Sequence, residues 1–158
     1  MKSCFFIGHR DTSPEILPLL ENTVEQHIAE YGVSEFIVGN YGSFDHSAAK
    51  TVIKAKTRYP WITVSMLIAY HPSERPIILP QGFDRTFYPP GMENVPRRFA
   101  ITRANRYMID HVDYLIAYAR HPASNAWDLV KYAQKKGVPF VNLSDPQCHE
   151  SSIAQKKY

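Results

Sequence analysis

The sequence predicts an α/β fold: a three-layer sandwich in which helices cover both faces of a mainly parallel sheet. Short apolar segments alternate with helical segments along the whole chain, and most connections between them are short. The apolar segments are continuous rather than alternating, as expected for parallel strands buried on both faces. With 158 residues, 44% of them hydrophobic and 21% charged, the chain has the composition of one globular domain.

The first strand–helix unit lies at the N-terminus. Residues 4–7 form a strand that ends at Gly8, and Ser13 followed by Pro14 is typical of a helix start. Pro18 would remove a backbone bond beyond the first turn, so we expect the regular helix to begin near it. The buried face of this helix has four-residue spacing: Ile16, Leu20, Val24 and Ile28.

The second unit has the same organisation. Residues 35–38 form a strand, residues 39–45 a loop with two glycines, and the next helix buries Ala48, Ala49, Val52 and Ile53. A third strand covers residues 61–69. The long connection that follows, 70–96, is rich in proline and aromatic residues and contains a short strand near 84–88. Connections of this length in compact domains are usually functional.

The C-terminal half continues the alternation. A helix covers 97–111, a strand 112–118 and a loop 119–125; a helix that ends at Gly137 and a strand at 139–143 follow. Apolar residues mark the buried face of the last helix: Ala126, Leu129, Val130 and Ala133. We therefore predict one nucleotide-binding domain over 1–143 and a polar tail over 144–158.

The ends of the first two strands carry the candidate site. With strand one central, the loops after the strands meet at one edge, where α/β sheets bind ligands. A glycine there lets a ligand approach the backbone, an arginine offers a planar fork of donors, and a helix start adds unpaired N–H groups. The alternative is a tight turn with a solvated charge. These positions are Gly8, His9, Arg10, Gly39, Gly42, Ser43 and Asp45.

Other chemistries lack their sequence patterns. Neither a Gly-x-Gly-x-x-Gly nor a Gly-x-x-x-x-Gly-Lys-[Ser/Thr] motif is present, which disfavours a dinucleotide dehydrogenase or an ATPase, so no cofactor is expected. His9, His46 and His121 follow different strands and, with Asp45, offer a zinc alternative, but their spacing matches no ligand pattern and no metal is expected. Acid–base catalysis by His9 or Asp45 is favoured over metal binding.

Charge and cysteine content bear on location and partners. Cys4 and Cys148 lie far apart, the N-terminus lacks a signal-peptide pattern, and no apolar run reaches the length of a membrane span. These features predict a cytoplasmic protein without a membrane partner. A net charge of +3 is too small to require nucleic acid, although it suits an anionic ligand.

Three segments carry a resemblance to a known superfamily. Residues 4–10 resemble its Cys-Phe-Thr-Gly-His-Arg opening, 39–45 lie where it has a Gly-Gly-Ala-x-Gly-x-Asp loop, and 103–110 resemble its Arg-Asn-x-x-Met-Val-Asp helix. Over nearly its whole length the chain resembles small single-domain members of the superfamily (SLOG) that joins the DNA-processing protein DprA and the "lonely guy" phosphoribohydrolases. The resemblance implies a Rossmann-like fold, a nucleotide-derived ligand and a homo-oligomer.

The resemblance also adds site residues and departures. It directs Arg103 and Asn105 towards a ligand's ribose or base, and it places Ser124 in the last loop, where the family's Ser-Gly-Gly-Thr run is absent. Asn40 and Tyr41 replace small residues of the second loop. The glutamate-bearing motif of the hydrolase branch, with its catalytic carboxylate, is missing.

Two functions follow as hypotheses. The first is binding of a nucleotide-type small molecule, as a sensor or with weak hydrolysis of an N-glycosidic or phosphate bond, for which Asp45 and His9 are the catalytic candidates. The alternative is a single-stranded nucleic-acid-binding or protein-interaction module, in which arginines of the 97–111 helix contact phosphates and the 70–96 connection supplies stacking aromatics.

Overall fold

In the computed structural model, which describes residues 1–145, the strands form one six-stranded sheet in which all pairs are parallel. The sheet order is β4-β3-β2-β1-β5-β6. The strands are β1 (Lys2–Gly8), β2 (Val33–Val38), β3 (Thr63–Leu67), β4 (Arg85–Phe87), β5 (Tyr114–Tyr118) and β6 (Phe140–Asn142). The α-helices of this part of the chain are α1 (Leu17–Ala29), α2 (Ser43–Ala55), α3 (Ala100–His111) and α4 (Asn125–Lys136).

Two hydrophobic cores lie on the two faces of the sheet. Cys4 and Phe6 of β1 pack into the core formed with α1 and α2, whereas Phe5 and Ile7 pack into the core formed with α3 and α4. All four side chains are at most 5% exposed. The continuous apolar run of β1 therefore reflects a central strand covered by helices on both faces, and the predicted Rossmann-like α/β fold is confirmed.

The predicted elements are present with shifted boundaries: β1 and β2 are longer than predicted, and β3 to β6 are shorter. The strand predicted at 61–69 spans only Thr63–Leu67, because β2 pairs with residues 63–66 and β4 with residues 65–67. The predicted helix at 97–111 begins with a 3₁₀ turn at Arg97–Phe99 before α3. Pro14–Ile16 is likewise a 3₁₀ turn, and Pro18 lies at the start of α1, where it removes no helical bond.

Two further expectations concern the ends of the chain and its location. The polar tail predicted at 144–158 falls mostly outside the described residues. Within residues 1–145, no helix combines the length and the apolar character needed to cross a bilayer.

A close contact joins the end of β1 to the start of α2. A methyl group built on Gly8 would lie 2.2 Å from Cγ of Phe44, whose side chain is fully buried. Ser43 also stabilises the approach of the β1–α1 loop to α2. Its N–H donates to the Arg10 carbonyl at 2.9 Å, and its Oγ accepts the Thr12 N–H at 2.6 Å. The β1–α1 loop is thus held against the first turn of α2.

Gly8→Ala is expected to destabilise the fold by at least about 2 kcal/mol, because the added methyl overlaps a buried ring. Urea denaturation of Gly8→Ala, Phe44→Ala and the double variant checks this. Removing the ring also removes the overlap, so the double variant should cost clearly less than the two single changes together. Additive costs would contradict the contact.

Candidate functional site

The order of strands creates a switch point beside β1. The chain passes from β1 to β2, β3 and β4 on one side, then crosses back to β5 on the other side of β1. In open α/β sheets, ligands bind beyond the carboxyl ends of the strands at such a point. A crevice of about 240 Å³ lies there, which we call the switch-point crevice. It is lined by Phe6, Ile7, Gly8, His9, Arg10, Tyr41, Asp45, Ile101, Thr102, Asn105, Ser124, Asn125, Ala126 and Leu129.

The β1 side of the crevice presents one cation and one tethered imidazole. Arg10 is exposed, and no carboxylate within residues 1–145 forms an ion pair with it. Nε2 of His9 accepts the Arg120 N–H at 2.9 Å, so the loops after β1 and β5 are joined. Burial, followed by the nearby charges of His121 and Arg120, lowers the pKa of His9 and favours its neutral form.

The start of α4 forms another part of the lining. Ser124 is the N-cap, and its Oγ accepts the Trp127 N–H at 3.2 Å and donates to the His121 carbonyl at 2.7 Å. Asn125 and Ala126, the first two residues of the helix, line the crevice. Backbone N–H groups at a helix start favour an anion, so the start of α4 and Arg10 both favour a negatively charged ligand.

Side chains from α3 and α2 close the remaining sides. Thr102 and Asn105 lie three residues apart on α3, and both line the crevice. Tyr41 belongs to the loop before α2, and its hydroxyl accepts the Ala69 N–H at 3.1 Å, which fixes the ring. The crevice therefore combines hydroxyl, amide and aromatic groups, the set that contacts sugars and bases in nucleotide sites.

Asp45, in the first turn of α2, is the carboxylate of the crevice. It is largely buried, and its Oδ2 accepts the Tyr41 N–H at 3.1 Å. Burial raises its pKa to about 6, against which the single hydrogen bond from Tyr41 acts only in part. Asp45 can therefore hold or release a proton close to neutral pH, the property of a general acid or base.

Six of the ten predicted ligand residues line the crevice, and four do not. Gly39 and Gly42 line a neighbouring cavity beside α2. Ser43 bonds to the 10–12 segment, and Arg103 is exposed on α3 away from the crevice lining. The six are Gly8, His9, Arg10, Asp45, Asn105 and Ser124.

The glycines have packing reasons that the sequence did not reveal. A methyl on Gly39 would lie 2.7 Å from Oδ2 of Asp45, and one on Gly42 would lie 2.6 Å from Cα of Arg10. With Phe44 against Gly8, each glycine makes room for a protein atom. Each glycine thus has a packing role, and the expectation that a ligand's phosphate approaches the backbone there stays a prediction.

Sequence reasoning did not place Thr102, Asn125 or Ile101 in the site. For Ile101 and Thr102, the available signal was helical spacing. They lie four and three residues before Asn105, which places them on the same face of the helix. Asn125 directly follows the N-cap Ser124 and is the first residue of α4. Its place next to a predicted site residue was the signal that could have identified it.

The two catalytic candidates, His9 and Asp45, differ in whether they can act as a proton acceptor. His9 lies with its ring centroid 4.9 Å from that of His121, yet its Nε2 already accepts a backbone N–H, so that nitrogen cannot act as a base. Asp45 has the suitable pKa, and hydrolysis through it stays a prediction. For the zinc alternative, no group of three or more histidine, cysteine or acidic side chains within residues 1–145 is placed to bind a metal.

Comparison with known proteins gives a fold likeness. No family model and no curated protein matches the sequence. The structure of DNA processing protein A (DprA) from Streptococcus pneumoniae matches with a TM-score of 0.67 at 15% identity, over 98% of this chain and 56% of that one. DprA from Helicobacter pylori, from a structure describing its single-stranded DNA binding mode, matches with a TM-score of 0.61 at 15% identity, over 96% and 73%. The chain thus has the DprA fold and spans about half the length of the first protein.

The raised pKa of Asp45 predicts a pH-dependent cost to stability. Its folded pKa of about 6 exceeds the ordinary value of 3.8, so only the folded state holds the proton between these values. The contribution of Asp45 to the free energy of unfolding is greatest below about pH 4. It decreases as the pH rises to about 6, by roughly 3 kcal/mol at most.

Asp45→Asn keeps an acceptor for the Tyr41 N–H and removes the titration. Its stability relative to the wild type should increase between pH 4 and pH 6 and then level off, as measured by urea denaturation. Carboxyl-carbon NMR of the wild-type protein gives the pKa directly. A midpoint at or below the ordinary value would show that Asp45 is not desolvated.

Proposed function

We propose that this domain, which has the fold of DprA, binds single-stranded nucleic acid by holding one nucleotide unit in the switch-point crevice. The observation that carries the proposal is the crevice itself, whose lining brings together Arg10, the start of α4 and polar side chains from α3. A cation and a helix start in one crevice suit a phosphate, and the adjoining groups suit a sugar and base.

The surface beside the crevice supports a strand rather than an isolated nucleotide. Four exposed arginines lie on and just before α3: Arg97, Arg98, Arg103 and Arg106. Arg97 pairs with Glu74, whereas the other three have no ion-pair partner within residues 1–145. Phe99, between them, is 51% exposed, and the Arg98 guanidinium lies over its ring, 4.8 Å from the ring centroid, so that a cation and an aromatic ring are presented together. Phosphate contacts of this kind give affinity along a chain of nucleotides.

A free nucleotide is the second candidate ligand. The volume of about 240 Å³ favours it, because the crevice is of a size for one nucleotide unit. The two candidates share the phosphate recognition at Arg10. They differ in whether the affinity depends on neighbouring nucleotides.

Arg10→Ala should weaken binding of a short, fluorescently labelled oligothymidylate roughly 10- to 100-fold, because one charge-assisted phosphate contact is lost. Fluorescence anisotropy at several salt concentrations measures this, and the slope of log affinity against log salt should fall by about one. Arg58→Ala is the matched control, since Arg58 is exposed near the far end of α2 and pairs with Glu25.

Competition with thymidine monophosphate separates the two ligands. If the strand is the ligand, the mononucleotide should displace the oligonucleotide only at much higher concentration. Equal potency of the mononucleotide would support the second candidate. Absence of oligonucleotide binding by folded protein at low salt would contradict the proposed function.

The affinity should also depend on pH. A charged Asp45 repels a phosphate in the same crevice, and its pKa of about 6 means that it becomes neutral as pH falls from 7.5 to 5.5. Oligonucleotide affinity should therefore rise over this range, and Asp45→Asn should bind more tightly at pH 7.5 with a flatter pH profile. The same pH dependence in both proteins would exclude Asp45 as its source.

A further inference from the structure

A second cavity lies on the other side of the loop at residues 39–42. It has a volume of about 410 Å³, larger than the switch-point crevice, and we call it the α2 cavity. Asp45 lines both spaces, so they adjoin at this residue. The α2 cavity is lined by Gly39, Asn40, Gly42, Asp45, His46, Ala49, Lys50, Ile53, Met66, Pro80, Gln81 and Phe83.

The wall facing α2 is held in place by several bonds. Nζ of Lys56 donates to the Gly82 carbonyl at 3.0 Å and to Oδ2 of Asp84 at 2.9 Å. The same Oδ2 accepts the Val64 N–H at 2.8 Å. Gly82 has φ +101°, and a methyl there would lie 2.8 Å from the Ile53 side chain. The cavity therefore lies between two fixed elements and is preformed.

The lining has an apolar floor and a polar rim. Met66 and Ala49 are buried, and Ile53 and Phe83 are partly buried beside them. The rim is exposed and carries Lys50, which has no ion-pair partner within residues 1–145. An aromatic ring fits such a floor, and a phosphate fits the lysine at the rim. Asn40 and Gln81, also at the rim, are side chains whose amides pair with base edges.

We infer that the α2 cavity binds the base of the nucleotide next to the one in the switch-point crevice, with its phosphate at Lys50. The inference rests on the proposed function. The strand passes from one space to the other at Asp45, the residue that lines both.

Met66 provides a local reporter of this site. The sequence has four methionines, and Met66 is the one that lines the α2 cavity. In protein labelled with ¹³C at the methionine methyl groups, thymidine monophosphate at saturation should leave the Met66 signal unchanged. The dinucleotide pTpT should shift it, because only the dinucleotide reaches both spaces.

Charge removal gives a second measurement. Lys50→Gln should lower the affinity for pTpT by about tenfold and leave that for thymidine monophosphate unchanged, since only the dinucleotide places a phosphate at Lys50. Lys54→Gln is the matched control: Lys54 lies one turn further along α2, is exposed, pairs with Glu21 and does not line the cavity.

The outcomes distinguish this inference from the proposed function. Binding of pTpT that depends on Arg10, without a Met66 shift or an effect of Lys50→Gln, would overturn the second subsite and leave the proposed function standing. A Met66 shift with the mononucleotide alone would overturn the inference too, since it would place the first nucleotide in the α2 cavity. If no oligonucleotide binds, both proposals fail.

Discussion

The site depends on how closely the loop after β1 approaches the first turn of α2. That approach needs a residue without a side chain at Gly8, because the ring of Phe44 occupies the space, and two hydrogen bonds from Ser43 hold the loop there. It leaves the Arg10 side chain exposed at the crevice and brings the Asp45 carboxyl to its edge. A packing constraint thus places both charged groups of the site.

The sequence was sufficient for the fold because its strongest signals are local. The continuous apolar run at residues 4–7 requires a strand covered on both faces, and the regular alternation of strands and helices restricts the sheet to parallel connections. Strand boundaries were less accurate, since they depend on where a neighbouring strand stops pairing: β3 ends at Leu67, the last residue that pairs with β4. The end of a strand is therefore determined by the neighbouring strands of the sheet and not by the residues of the strand itself.

Part of the site could be predicted and part could not. Gly8, His9 and Arg10 follow a strand that the pattern places at the centre of the sheet, so topology alone puts them at the ligand-binding edge. The packing roles of Gly39 and Gly42 depend on atoms of Asp45 and Arg10 that reach them only in the folded chain. The α2 cavity joins α2 to a turn some 30 residues later in sequence, and no local pattern signals that pairing.

The positions of individual charged groups in this domain matter more for ligand binding than its net charge. A net charge of +3 gives little general attraction for a polyanion. Arg10 and the start of α4 nevertheless both line the switch-point crevice. Asp45 lines the same crevice with a carboxyl group, and burial raises its pKa to about 6. If a phosphate binds there as proposed, its charge raises that pKa further, so that protonation of Asp45 and phosphate binding favour each other and this carboxyl sets the pH range of binding.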